Sequence, residues 1–140
     1  MKPEMMNMFS MEMEGMDVKM MQECMEACSA AEQACTMCAD ASSGDQMARM
    51  ASMCMTNADM CNTMMRMMMR SMGHDMGSMM AMLEACMMMN KACADACMAN
   101  AEMSDHAKMC AQVCMDCANA CEAMMTSMKP SMAEMPGAMP

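Results

Sequence analysis

Thirteen cysteines stand at gaps of 3, 4 and 7 residues, and that spacing commits the chain to helices. They form four groups: Cys24, Cys28, Cys35 and Cys38; Cys54 and Cys61; Cys86, Cys93 and Cys97; Cys110, Cys114, Cys117 and Cys121. Residues three, four and seven apart share one face of an α-helix, so each group is a stripe of thiols. A thiol stripe is a poor apolar core and a good surface for a soft metal. A disulfide scaffold fits less well. The odd count leaves one thiol over, and thiols on one helix face point the same way, which suits shared coordination better than a relaxed S–S bond.

The stops between the groups define four helices over about 17–42, 46–72, 78–99 and 105–128. Asp17, Asp45 and either Ser104 or Asp105 are suitable N-caps, and Gly44 and Gly73 are suitable terminators. A Met-rich extension, 1–16, precedes them and can form a short helix after Pro3. A Met- and Pro-rich tail, 129–140, follows and is too rich in proline to stay helical. Heptad lettering gives inward lines of Met21, Cys24, Cys28, Ala31, Cys35 and Cys38 in the first helix. The second gives Met47, Ala51, Cys54, Ala58, Cys61, Met65, Met68 and Met72. The fourth gives Met103, Ala107, Cys110, Cys114, Cys117, Cys121, Met124 and Met128. No polar residue other than Cys interrupts these three lines. In the third helix Asn90 and Asn100 intrude. Glu23, Glu26, Asp40 and Glu122 fall off the seams. Short connections make consecutive helices antiparallel neighbours, so the expected fold is all-α, an up-down-up-down four-helix bundle with an N-terminal extension. Helices of about 25 residues span roughly 37 Å, room for several metal ions along one axis.

Methionine supplies 39 of the 140 residues, whereas Leu83 and Phe9 are the sole leucine and phenylalanine. A core of Met, Ala and Cys is loosely determined unless something cross-links it. The net charge of −10, without a basic patch or stacking aromatics, argues against nucleic acid as a partner. No apolar run is long enough for a membrane span. The N-terminus does not read as a signal peptide, and abundant free thiols suit the cytosol; a leader removed upstream would instead place the protein in the periplasm.

Thiolates and thioethers select Cu(I), with Zn(II) and iron–sulfur clusters as competitors. The CxxC steps, Cys35–Cys38 and Cys114–Cys117, lie mid-helix rather than on zinc knuckles, and ferredoxin-type runs are absent. Neither His74 nor His106 has a Glu three residues before it, which excludes a di-iron bundle. Methionines dominate the bundle end where the first and third helices begin and the second and fourth finish. Met65, Met68, Met72 and Met124 there are expected to line a thioether mouth for metal. His106, at the other end and one turn before Cys110, is the better histidine candidate.

The runs CMEACSAAEQACTMCADA, CMTNADMC, LEACMMMNKACADAC and HAKMCAQVCMDCANAC resemble the cysteine-rich four-helix-bundle copper storage proteins over about residues 17–128. The resemblance implies a core filled with Cu(I) and no enzymatic activity. It implies Cu(I) pairs at Cys24 with Cys28, Cys93 with Cys97, Cys110 with Cys114 and Cys117 with Cys121, and an access end marked by His106 and nearby methionines. It also implies a homotetramer; separately, a copper chaperone or cuproenzyme is the expected exchange partner. Two departures stand out, the extreme methionine content and the near absence of the family's usual aliphatic core; Ala31 also occupies a seam position flanked by thiols. The alternatives are a general Zn/Cd/Ag detoxification protein and a disulfide-stapled helical interaction module.

Overall fold

The computed structural model describes residues 2–12, 17–42, 44, 47–70 and 75–133. Five helices follow in order: α1 Pro3–Glu12, α2 Val18–Ala41, α3 Ala48–Met69, α4 Met76–Met98 and α5 Asp105–Ala133. The long helices α2 to α5 form a ring in which α2 and α4 each pack against both α3 and α5. Thiol contacts give the directions. Cys24, near the start of α2, lies 3.9 Å from Cys121, near the end of α5. Cys54, early in α3, lies 3.7 Å from Cys97, late in α4. Across the ring Cys28 groups with Cys86 and Cys38 with Cys97, so α2 and α4 run parallel on the diagonal. This is the antiparallel four-helix bundle that the cysteine spacing predicts. Among the described residues, no helix is long and apolar enough to cross a membrane.

Local chemistry sets the helix ends. The Asp17 carboxylate accepts from the Met20 N–H at 3.0 Å and starts α2. Gly44, at φ +88°, takes the left-handed conformation that turns the chain toward α3. Asp45 lies outside the described residues, and Met47 begins α3 without a side-chain cap. The third long helix starts at Met76, two residues earlier than expected. Asp75 is its cap, accepting from the Ser78 N–H at 3.1 Å, so Ser78 is already inside the helix. Ser104 caps α5, accepting from the Ala107 N–H at 3.1 Å.

The end of α5 departs from expectation. The helix runs through Pro130 to Ala133 rather than stopping at the bundle edge. Proline removes one N–H from the ladder, and here that loss falls in the last turns, where few further hydrogen bonds depend on it.

The core is thiol, thioether and alanine, in two clusters. One holds Cys24, Cys28, Cys61, Cys86, Cys117 and Cys121 beneath a lid of Met21, Met64, Met68, Met79, Leu83, Met124 and Met128. The other holds Cys35, Cys38, Cys54, Cys93, Cys97, Cys110 and Cys114 with Met50 and five alanines. The inward line of α3 is rotated from the expected one: Met50, Asn57 and Met64 are buried, whereas Ala51 and Met65 are half-buried. Asn57 therefore interrupts a line expected to carry no polar residue but Cys. Met103, expected on the α5 seam, is exposed in the turn before that helix. Asn100 is half-buried at the end of α4, where its amide donates to the Ala96 carbonyl at 2.9 Å.

Candidate metal centre

All thirteen cysteines are free thiols with no solvent exposure. Three groups of four have their sulfurs within 4.8 Å of one another: Cys28, Cys86, Cys117 and Cys121; Cys35, Cys93, Cys110 and Cys114; and Cys38, Cys54, Cys97 and Cys110. The first two groups draw on α2, α4 and α5, and the third draws on all four long helices. The sequence locates the thiols on helix faces, but the partners come from across the bundle, which one-dimensional spacing does not reveal. Of the four CxxxC pairs, Cys110 with Cys114 and Cys117 with Cys121 each share a group. Cys24 with Cys28 and Cys93 with Cys97 do not. Cys24 instead faces Cys121, and Cys93 lies 3.7 Å from Cys54 and 3.8 Å from Cys35.

Asn57 and Asn90 separate the two thiol clusters and are fully buried. The Asn57 amide donates to the Asn90 side-chain carbonyl at 2.9 Å. It also donates to the sulfurs of Cys35 and Cys114, each at 3.5 Å. The Asn90 amide donates to the Cys86 carbonyl at 2.8 Å and to the sulfurs of Cys61 and Cys86, each at 3.4 Å. Both side chains thus find partners where an unsatisfied amide would be costly. Each sits at a thiol position of its helix, in mirrored patterns: Cys54-x2-Asn57-x3-Cys61 on α3 and Cys86-x3-Asn90-x2-Cys93 on α4. The mirror follows from the two helices running in opposite directions. On α2 the corresponding gap of seven, Cys28 to Cys35, holds Ala31, which is fully buried. The missed signal was therefore present: asparagine at a residue three or four from a cysteine on both sides.

Thiol–thiol hydrogen bonds set the acid–base character of the core. Donation from Cys121, then Cys28, pulls the Cys24 thiol down to about 5. Cys117 and then Cys28 pull Cys121 down to about 6. Cys117 and Cys28 likewise hold Cys86 at about 5. In the other cluster, Cys35 is driven far below the usual thiol range by Cys110 and Cys114, and Cys97 by Cys110 and Cys54. The donors move the other way: Cys117 is raised by donating to Cys121, and Cys114 by donating to Cys110. Burial raises Cys38. Each cluster therefore pairs thiols drawn toward ionisation with thiols held protonated, and a bound cation takes the place of their protons.

The non-cysteine candidates are more dispersed. Met68 and Met124 are buried in the methionine lid over Cys24 and Cys121. Met65 is half-buried beside it and lines a groove with Met5 of α1, Met25 and Met69. Met72 and His74 lie outside the described residues. His106 is exposed on the first turn of α5, at the end of the bundle away from the methionine lid, and belongs to none of the three thiol groups.

Comparison with known proteins gives one family. The family described as copper storage protein matches residues 17–126. Among solved structures, the chain is similar to the copper storage protein Ccsp of Streptomyces lividans loaded with 10 copper equivalents. Identity is 33%, 82% of this chain and 90% of that chain are covered, and the TM-score is 0.79. It is also similar, again at 33% identity, to a structure described as copper loading, with five coppers, to a cytosolic copper storage protein from the same organism. That match covers 77% of this chain and 93% of the other, with a TM-score of 0.75. No curated protein matches the sequence.

Proposed function

Because the chain belongs to the copper storage protein family, we propose that it stores copper as Cu(I), bound by the thiolates inside its bundle. One observation carries this reading: thirteen free thiols, all fully buried, occupy the core itself. Among the described residues the other buried polar side chains are Asn57 and Asn90, and neither carries charge. A cluster of bare thiolates there would be prohibitively charged. One monovalent cation per thiolate neutralises the core, which favours Cu(I) over a divalent ion at full loading and sets a capacity near thirteen. Metal held this way is out of contact with water and with any second substrate, so the role is storage rather than catalysis.

Met65, Met68, Met72 and Met124 act in our reading as a thioether mouth, since thioethers bind Cu(I) without losing a proton. His106 is an external contact for metal at the opposite end. A cytosolic location follows from the cytosolic relative and from the need to keep the thiols reduced. A homotetramer and exchange with a copper chaperone or cuproenzyme complete the proposal.

The test is an anaerobic Cu(I) titration of the reduced chain against a tight Cu(I) chelator. Tight binding should continue to about thirteen equivalents, with protons released as thiols are consumed. Saturation below about four equivalents, or a protein isolated with few free thiols, would overturn the storage reading.

A further inference from the structure

The group Cys35, Cys93, Cys110 and Cys114 has a shape that Cu(I) does not need. Four of its six sulfur–sulfur edges are hydrogen-bond contacts of nearly equal length: Cys35 to Cys110 and to Cys114 at 3.6 Å, Cys35 to Cys93 at 3.8 Å, and Cys110 to Cys114 at 3.9 Å. Four thiolates around a tetrahedral ion with bonds of about 2.3 Å have edges of about 3.8 Å. The thiols therefore already stand close to the corners of such a site before any ion binds. The other two groups are looser, each contributing one hydrogen-bond contact, Cys28 to Cys117 and Cys54 to Cys97, both at 3.7 Å. The group Cys38, Cys54, Cys97 and Cys110 also shares Cys110, so filling both groups at once requires a bridging thiolate.

The surroundings favour the same choice. The Asn57 amide directs N–H groups at two of the four sulfurs, Cys35 and Cys114. Such donors stabilise the excess negative charge of a divalent ion held by four thiolates. Three helices supply the ligands, Cys35 from α2, Cys93 from α4 and two from α5, and the fourth supplies the amide. One ion here would tie the whole ring together.

We propose that Cys35, Cys93, Cys110 and Cys114 form a tetrahedral tetrathiolate site for one divalent ion of the Zn(II) class. The ion occupies the copper-poor protein and is displaced as Cu(I) accumulates. Binding exchanges the thiol protons of the four cysteines for the cation, leaving a net charge of −2 at the centre. Four Cu(I) ions on the same four thiolates leave none, which drives the displacement at high copper. The divalent site goes beyond copper storage and is probed with divalent ions; only its displacement by Cu(I) rests on the storage reading.

Co(II) reports the geometry directly. Added anaerobically to the reduced, metal-free full chain, one equivalent should give the intense ligand-field bands of a tetrahedral S4 site, and one equivalent of Zn(II) should abolish them. Cys93→Ser and Cys35→Ser should each lose the S4 spectrum, whereas Cys24→Ser, outside all three groups, should keep it. Asn57→Ala should weaken Zn(II) binding about tenfold in chelator competition, as loss of a partner to a metal ligand typically does. Circular dichroism on each variant separates a lost site from a lost fold. If Cys35→Ser does not fold, the Cys93→Ser result decides. If neither folds, a single 113Cd resonance from the unsubstituted chain with one equivalent of Cd(II) decides, and several resonances overturn the site. No S4 spectrum at one equivalent, or its retention in Cys93→Ser, also overturns it. Loss of the Co(II) signal with a Cu(I) capacity still near thirteen would sink the divalent site alone and leave copper storage standing.

Discussion

Asn57 and Asn90 are the residues at which this core could most easily have failed. A buried amide is tolerable only while its partners are present, and these two are each other's partners. Asn90→Ala should therefore destabilise the metal-free protein by about 2 kcal/mol in chemical denaturation, the usual cost of stranding a buried polar group. Replacing both by Leu should cost markedly less than the sum of the single changes, because no amide is left unpaired; a double-mutant cycle reads the difference. A sum of independent costs would show that the pair is not coupled. Asn90 was visible in the sequence as an intruder on the third long helix, and Asn57 was not. The reason is the methionine content. When Met and Ala fill the neighbouring positions on both sides of a seam, the apolar pattern loses contrast, and a register through Ala51 and Met65 fits as well as the true one through Met50 and Met64.

At the scale of elements, caps were the most legible features and the methionine lid the most consequential. Asp17 was readable because it directly precedes the apolar pattern. Asp75 was not read as a cap because the third long helix was expected from about residue 78; it starts two residues earlier, on the Asp75 carboxylate. Donation from the Ser78 hydroxyl and N–H holds the Asp75 carboxyl below its ordinary range. A group with a depressed folded-state pKa stabilises the fold above its unfolded value, near 3.9, and that contribution is lost as pH falls through the folded value. Asp75→Asn should therefore lower the thermal midpoint modestly at neutral pH and flatten the acid limb below about pH 4, so that the two proteins converge in acid; an unchanged limb would remove Asp75 as its source. At the same end of the bundle, Met21, Met64, Met68, Met79, Met124 and Met128 cover the nearest thiols. Replacing Met65, Met68, Met72 and Met124 by Leu preserves bulk and removes the thioethers. Stopped-flow loading should slow, with the final number of bound ions unchanged. Equal rates would mean that the lid is only packing.

For the whole molecule, the cysteine spacing alone was enough to predict four helices and their antiparallel order, because helix faces and short connections leave few other arrangements. The thiol groups were not predictable in the same way, since each joins helices separated by tens of residues. Stability should depend on cargo. The core contains one leucine and no aliphatic isoleucine or valine among its buried residues, so packing alone determines it weakly. Metal that binds only the folded chain raises its stability by mass action, about 2.7 kcal/mol at a hundredfold excess over Kd. Thermal unfolding of the loaded chain should therefore occur well above that of the metal-free chain, and a Cu(I) chelator should bring it back down; coincident midpoints would contradict this. Ala31, Asn57 and Asn90 also stand in the plane where three helices offer no thiol. On α2, α3 and α4 the nearest thiols on either side of that plane are seven residues apart, a rise of about 10.5 Å, whereas on α5 Cys114 and Cys117 are three apart, about 4.5 Å. Copper hopping lengthwise from sulfur to sulfur thus has one short stride available, and a single helix serves as the ladder between the two halves.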